Sequence, residues 1–360
     1  MNSIVVEDDE TIIDEDGSVI TYGFDRFVKD ICDGDNCFIC GAKRSEKEFN
    51  DEHVIPKWLL RHAGLFKQFI TLPNTIKLRY DKYVLPCCSE CNSFYGENLE
   101  EKVRPLLTSS YSDFKKNASD IDGETLFIWL AFVFFKTHLK DTLLRLHQDR
   151  RKGEELISSK YNFEWLHHIH ALIRSIYTGA KLDKGCIGTF VVLHADTGDV
   201  DTPFDYRDIN GINTVLLRIG DVALLASLDD AKLSSRFLAG HIKEVLGKPM
   251  NPIQLREMLA HLSYVSSHLK PRPTFRNEFD LVAQTSTIKA AIPDNIELAD
   301  FVPEAYGNIL YLCTFDFLSK MSFSEVDNIE VSVKSGKMGF IFDENGNFFK
   351  NGSICSTKIT

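Results

Sequence analysis

The chain has 360 residues, 44% of them hydrophobic, and a formal charge of −11, which suits two or three domains with ordinary cores. Its longest apolar run, Leu126 to Phe135 between Glu124 and Lys136, is too short to span a bilayer, so no membrane association is expected. Nine cysteines without a secretory leader argue for a reducing, cytoplasmic setting in which thiols bind metal rather than pair.

The charge is unevenly spread. Residues 1–36 carry two basic and eleven acidic side chains, residues 37–104 eleven and nine, so the acidity lies mainly in an N-terminal arm. Within that arm, Asp16-Gly17 between β-branched runs predicts a hairpin turn, and the arm itself could lie across a basic face and compete with an anionic partner. Cys37-Phe-Ile-Cys40 follows. The stretch Phe49 to Pro56, carrying Asp51-Glu52-His53, reads as a strand, and Pro56 suits the start of a helix over Lys57–Ala63. Gln68–Leu72, Thr75–Tyr80 and Tyr83–Leu85 read as short extended segments leading to Cys87-Cys88-Ser-Glu-Cys91-Asn92. Asn92 is expected at the N-terminus of a helix that ends near Pro105, where free backbone N–H groups favour a phosphate.

Beyond that, Thr125–Leu146 and Tyr161–Tyr177 read as helices, joined by a basic link with Arg150 and Arg151. His167, His168 and His170 lack the carboxylate or cysteine in helical register that would complete a metal site. Strands are expected at Ile187–His194, Thr214–Leu228, Phe279–Gln284, Ile309–Phe315, Ile329–Val333 and Gly339–Asp343, with a turn at Asp343–Gly346. Helices are expected at Ala231–Leu246 and Pro252–Leu269. Cys186, Cys313 and Cys355 stand alone and read as buried thiols.

Two Cys-x-x-Cys pairs can present four thiolates to one tetrahedral ion, with zinc the first candidate. Cys88 rather than Cys87 has the spacing to pair with Cys91, giving a structural zinc set of Cys37, Cys40, Cys88 and Cys91. The order Cys-x-x-Cys, acid-His-apolar-apolar-Pro, Cys-x-x-Cys-Asn over roughly residues 35–105 resembles the zinc-stapled HNH endonucleases. The resemblance implies a β-hairpin and helix around a catalytic metal, with His53 as general base and Glu52 and Asn92 as ligands of magnesium or manganese. Neutral imidazole suits the abstraction of a water proton near pH 7, and a carboxylate and an amide oxygen suit a hard cation. Glu52 stands where the family usually has aspartate, and the family's middle asparagine falls near Tyr83. Adjacent strand residues face opposite ways, so Glu52 and His53 are expected to divide the work.

The resulting expectation is an α+β protein with four parts. An acidic arm (residues 1–34) precedes a ββα-metal HNH module with structural zinc (35–118). A helical segment (119–182) and an α+β accessory domain for recognition or regulation (183–360) follow. The function expected is metal-dependent hydrolysis of DNA phosphodiester bonds, as in a restriction or antiphage defence effector, with Lys57, Arg61, Lys82, Arg150 and Arg151 contacting nucleic acid. Each active site cuts one strand, so a double-strand break calls for a homodimer or two binding events, and an activating protein partner fits such an effector. The alternative is a non-catalytic zinc knuckle that binds nucleic acid or protein.

Overall fold

The computed structural model describes residues 4–198, 203–319 and 326–349, so Cys355 lies outside the described residues. It is a mixed α+β protein of two compact units: Met1–Thr108, Ala118–Cys186 and Thr274–Ala291 in the first, Ser109–Asn117, Ile187–Pro273 and Ile292–Thr360 in the second. Among the described residues no helix is long and apolar enough to cross a membrane.

The first unit is built around α6 (Asp120–Asp141). Ser119 caps it reciprocally with Asp122, and every residue from Leu126 to Lys136 is buried. A helix apolar on all sides must be covered on all sides. It begins before and ends before the expected Thr125–Leu146, because residues 144–146 hydrogen-bond to 155–157 instead of continuing the helix. Helix α7 (Glu164–Thr178) packs on it and stops at Gly179, whose φ of +68° is the left-handed end that glycine permits.

Around these helices lie small sheets. Strands β1 (Val5–Val6), β2 (Ile12–Ile13) and β3 (Val19–Thr21) form an antiparallel meander, with the expected turn at Gly17. In α1 (Phe24–Phe27), Arg26 bonds to Glu7 of the acidic arm and to Asp30. Strand β4 (Phe49–His53) pairs antiparallel with β7 (Val84–Cys88). Between them run α2 (Lys57–His62) and a ribbon of β5 (Phe69–Thr71) and β6 (Lys77–Arg79). Helix α3 (Ser89–Tyr95) continues through a π-type turn into α4 (Glu101–Leu107). A three-stranded sheet completes the unit: β14 (Thr274–Asp280), β15 (Thr285–Ala291) and β8 (Lys181–Leu182). The expected strand Phe279–Gln284 is instead the corner of this hairpin, where Asp280 accepts the N–H groups of Val282 and Ala283.

The second unit holds α5 (Tyr111–Asn117) and an antiparallel sheet in the order β10 (Phe204–Ile209), β11 (Thr214–Ile219), β12 (Val222–Ser227), β9 (Phe190–His194). Gly220, at φ +57°, splits the expected single strand Thr214–Leu228 into a hairpin. The expected helix Ala231–Leu246 is two short ones, α8 (Leu233–Phe237) and α9 (Ala239–Val245). Helix α10 (Pro252–His268), capped by Asn251, meets the sheet through the hydroxyl pairs Thr214–Ser263 and Ser227–Ser266. Strand β13 (Leu269–Lys270) pairs with β16 (Glu297–Leu298).

Two expected strands are helical. Ile309–Phe315 lies in α11 (Pro303–Leu318) and Ile329–Val333 in α12 (Val326–Lys334); short apolar runs do not reveal their period. Gly339–Asp343 contributes no strand, but Phe342 bridges Phe348 across a turn that closes at Gly346.

Candidate functional site

The thiols of Cys37, Cys40, Cys88 and Cys91 lie within 4.8 Å of one another and all four residues are buried. The chain reaches this arrangement through two tight turns. In the first, Cys37 O accepts from Gly41 N at 2.8 Å, and Gly41 has φ +81° where any Cβ would strike the Tyr22 hydroxyl. In the second, Cys88 closes β7 and caps α3, its Sγ accepting the Cys91 N–H at 3.4 Å. Cys87 is buried beside the group, 3.8 Å from Cys37, but the metal-sized cluster contains Cys88.

Four buried thiols this close cannot all ionise without a cation among them. Hydrogen bonds from Cys40 and the other thiols pull Cys37 down, while hydrogen bonding to Cys37, with burial, pushes Cys88 and Cys91 well up. Such a soft, closed donor set fits a structural metal ion. Helix α7 fixes the first turn from behind: His170 Nε2 donates to Phe38 O at 2.8 Å, and Arg174 Nε to Ile39 O at 2.6 Å. Both carbonyls belong to residues between the two cysteines.

Strand β4 leads away from this cluster. Its register places Phe49 opposite Cys88 and His53 opposite Val84, so the acid-histidine pair sits at the far end of the strand that the cysteines anchor. Strand alternation puts Asn50 and Glu52 on one face, Asp51 and His53 on the other. His53 is 7% exposed, and its ring stacks on Phe66 with centroids 6.2 Å apart. Its Nε2 is buried with no hydrogen-bond partner among the described residues. Burial, with the nearby ammonium groups of Lys57 and Lys136, lowers its pKa to about 4, so the imidazole is neutral near pH 7.

The main surprise is Lys136. This residue, which closes the longest apolar run of the sequence, is fully buried inside α6 and reaches into the strand. Its Nζ donates to Glu52 Oε1 and, at 2.8 Å, to the backbone oxygen of His53, and lies 4.0 Å from Glu100 Oε1 and 4.1 Å from the centre of the Phe132 ring. One ammonium thus serves two carboxylates. Burial and the charge of Glu52 raise Glu100 to about 7 against the pull of Lys136. A charge closing an apolar decamer is the available sequence signal, but it reads equally as a helix-end boundary.

Asn92 does not begin its helix: it is the fourth residue of α3, because Cys88 is the cap. Its Nδ2 donates to Asn50 Oδ1 at 2.7 Å, which places the carboxamide beside the face of β4 that also carries Glu52. Glu52 Oε2 and Asn92 Oδ1 accept no hydrogen bond among the described residues. Among the described residues the only cluster of three or more histidine, cysteine or acidic side chains close enough to share a metal ion is the four cysteines. The expected phosphate contacts Lys57, Arg61 and Lys82 are exposed on the elements between β4 and β7, with Arg61 over Phe66. Arg150 and Arg151 are exposed in the α6–α7 link, where Arg151 is paired with Asp149.

No family model matches the chain, and neither the curated proteins nor the solved structures provide a match.

Proposed function

We propose that the strand–strand–helix module around the cysteine cluster is an HNH endonuclease that hydrolyses DNA phosphodiester bonds, its fold stapled by zinc on Cys37, Cys40, Cys88 and Cys91. The observation that carries this reading is His53, a buried neutral imidazole whose Nε2 has no partner among the described residues. An unsatisfied buried polar atom costs about 1–3 kcal/mol, a cost that a water held on Nε2 for proton abstraction would relieve. A general base requires a nitrogen uncommitted to the protein, and in this reading substrate binding admits the attacking water to the enclosed Nε2.

In this reading His53 Nε2 accepts the proton of the attacking water while the Phe66 ring fixes the imidazole plane. Glu52 Oε2 and Asn92 Oδ1 would hold magnesium or manganese, which when bound polarises the phosphate and offsets charge on the leaving oxygen. Lys136 holds the Glu52 carboxylate in place, and through the His53 carbonyl it ties both residues to α6. Lys57, Arg61 and Lys82 supply contacts to the phosphate backbone. The second unit then chooses the target, partner or trigger, as a restriction or antiphage effector requires.

One observation favours a second reading, a zinc knuckle that binds without cutting: the Oε1 of Glu52 is already neutralised by an internal cation. Nicking of supercoiled plasmid by zinc-loaded protein separates the two. The nuclease reading expects open-circle product with magnesium or manganese and none without added divalent ion. Absence of product under every condition overturns it in favour of the knuckle.

A further inference from the structure

The β5–β6 ribbon is an insertion between the two strands of the candidate active site, and its outer face is chemically distinctive. Phe69 pairs with Arg79 and Thr71 with Lys77. Directly opposed residues of an antiparallel pair share a face, as do residues two apart on one strand, so these four side chains form one surface. All four are exposed, while Ile70 and Leu78 on the other face are half-buried. Phe69, at 59%, is the most exposed aromatic side chain among the described residues.

The charge of this insertion runs against that of the chain. Residues 65–82 carry Lys67, Lys77, Arg79 and Lys82 against a single carboxylate, Asp81, which pairs with Arg79. The ribbon is also held at both ends. At its base, Tyr80 N donates to Gln68 O and Tyr83 N to Tyr80 O, and Val54 N then donates to Tyr83 O immediately beyond His53. Three residues before β5, Phe66 stacks on His53 itself. At the tip, Asn74 Nδ2 donates to Arg145 O at 2.7 Å.

We infer that the outer face of this ribbon is a platform for single-stranded nucleic acid, with an unpaired base stacked on Phe69 and the flanking phosphates on Lys77 and Arg79. An exposed aromatic ring between cations on a strand surface is the combination that binds unpaired bases, because every base offers a π-face while its backbone offers charge. Contact with a duplex backbone would use the cations but leaves the ring without a role. The inference deepens the nuclease reading, on which it rests for its consequence: a strand bound here is delivered to His53, so the favoured substrate contains an unpaired stretch.

The test measures binding of a fluorescent thymidine oligonucleotide, and of a blunt duplex, in buffer without added magnesium. Phe69→Ala is expected to weaken oligonucleotide binding by about 5- to 100-fold and duplex binding far less. Lys77→Glu is expected to weaken both and to flatten their salt dependence. In Phe69→Trp, affinity is retained and the new indole fluorescence is quenched by the oligonucleotide. Unchanged oligonucleotide affinity in Phe69→Ala, an unquenched indole, or a wild type that binds no oligonucleotide overturns the inference. Quenching and Phe69-dependent binding in a protein that never nicks plasmid uphold the platform and defeat the nuclease reading instead.

Discussion

A lysine with no exposed surface needs a reason, since its ammonium leaves water only if partners replace the hydration. Lys136 has them in Glu52, Glu100 and the His53 carbonyl. Removing the ammonium alone leaves two half-buried carboxylates without their cation, so Lys136→Met should destabilise the protein by about 1–3 kcal/mol in urea unfolding. Combining it with Glu52→Gln neutralises both sides of the main pair and should recover most of that loss, since a buried pair is often close to neutral against its uncharged replacement. A double variant as unstable as the single one would show that the cost arises from packing. The nuclease reading adds a second consequence: the recovered double variant still fails to cut, because Glu52 no longer offers a carboxylate.

At the scale of elements, α7 holds the first cysteine turn with His170 and Arg174 and packs on β14 with His168. Arg174 and His170 bond to the carbonyls between Cys37 and Cys40, as groups behind metal ligands commonly orient them. Arg174→Met should therefore speed removal of bound metal by a chelator by about 10-fold or more, read with a colorimetric zinc indicator, and an unchanged rate would free the turn from α7. His168 stacks 3.6 Å from Phe275 of β14, and exclusion of water lowers its pKa to about 3. The unfolded imidazole titrates near 6.5, so between these values the unfolded chain binds the extra proton. Stability from this residue is thus full above pH 6.5 and is lost as the pH falls toward 3. Unfolding free energies measured from pH 7 to 4 should decline less steeply in His168→Phe, which keeps the stack without the titration; an identical slope would remove His168 from the account.

The same scale shows where the sequence was readable. Asn251-Pro252 marks the start of α10, Asp16-Gly17 its turn and Phe49–His53 its strand, because each signal is local. Ile309–Phe315, expected as a strand, is helical because six apolar residues in seven fit either period and tertiary packing decides for helix. Strand β15 went unseen because Thr-Ser-Thr opens it, and its partners β14 and β8 are supplied by distant chain. Of the candidate site, the cysteine spacing and the acid-histidine pair were legible as motifs. Lys136 was not, since only the packing of α6 reveals that the charge ending its apolar run turns inward.

For the whole molecule, the two units have separate cores, but the cysteine cluster lies in the first alone. Structural zinc in small fingers is worth about 10–16 kcal/mol of apparent binding energy, more than an ordinary domain's stability. Chelation, or Cys40→Ser, should therefore abolish the calorimetric transition of the first unit while leaving one for the second. Loss of both together would show that the units unfold as one. The most direct test of the nuclease account is to measure zinc content and magnesium-dependent plasmid nicking in the same preparations of wild type and His53→Ala. The account predicts one zinc per chain in both and nicking at least about 100-fold slower in the variant. Equal nicking by the two proteins at equal zinc content would contradict it.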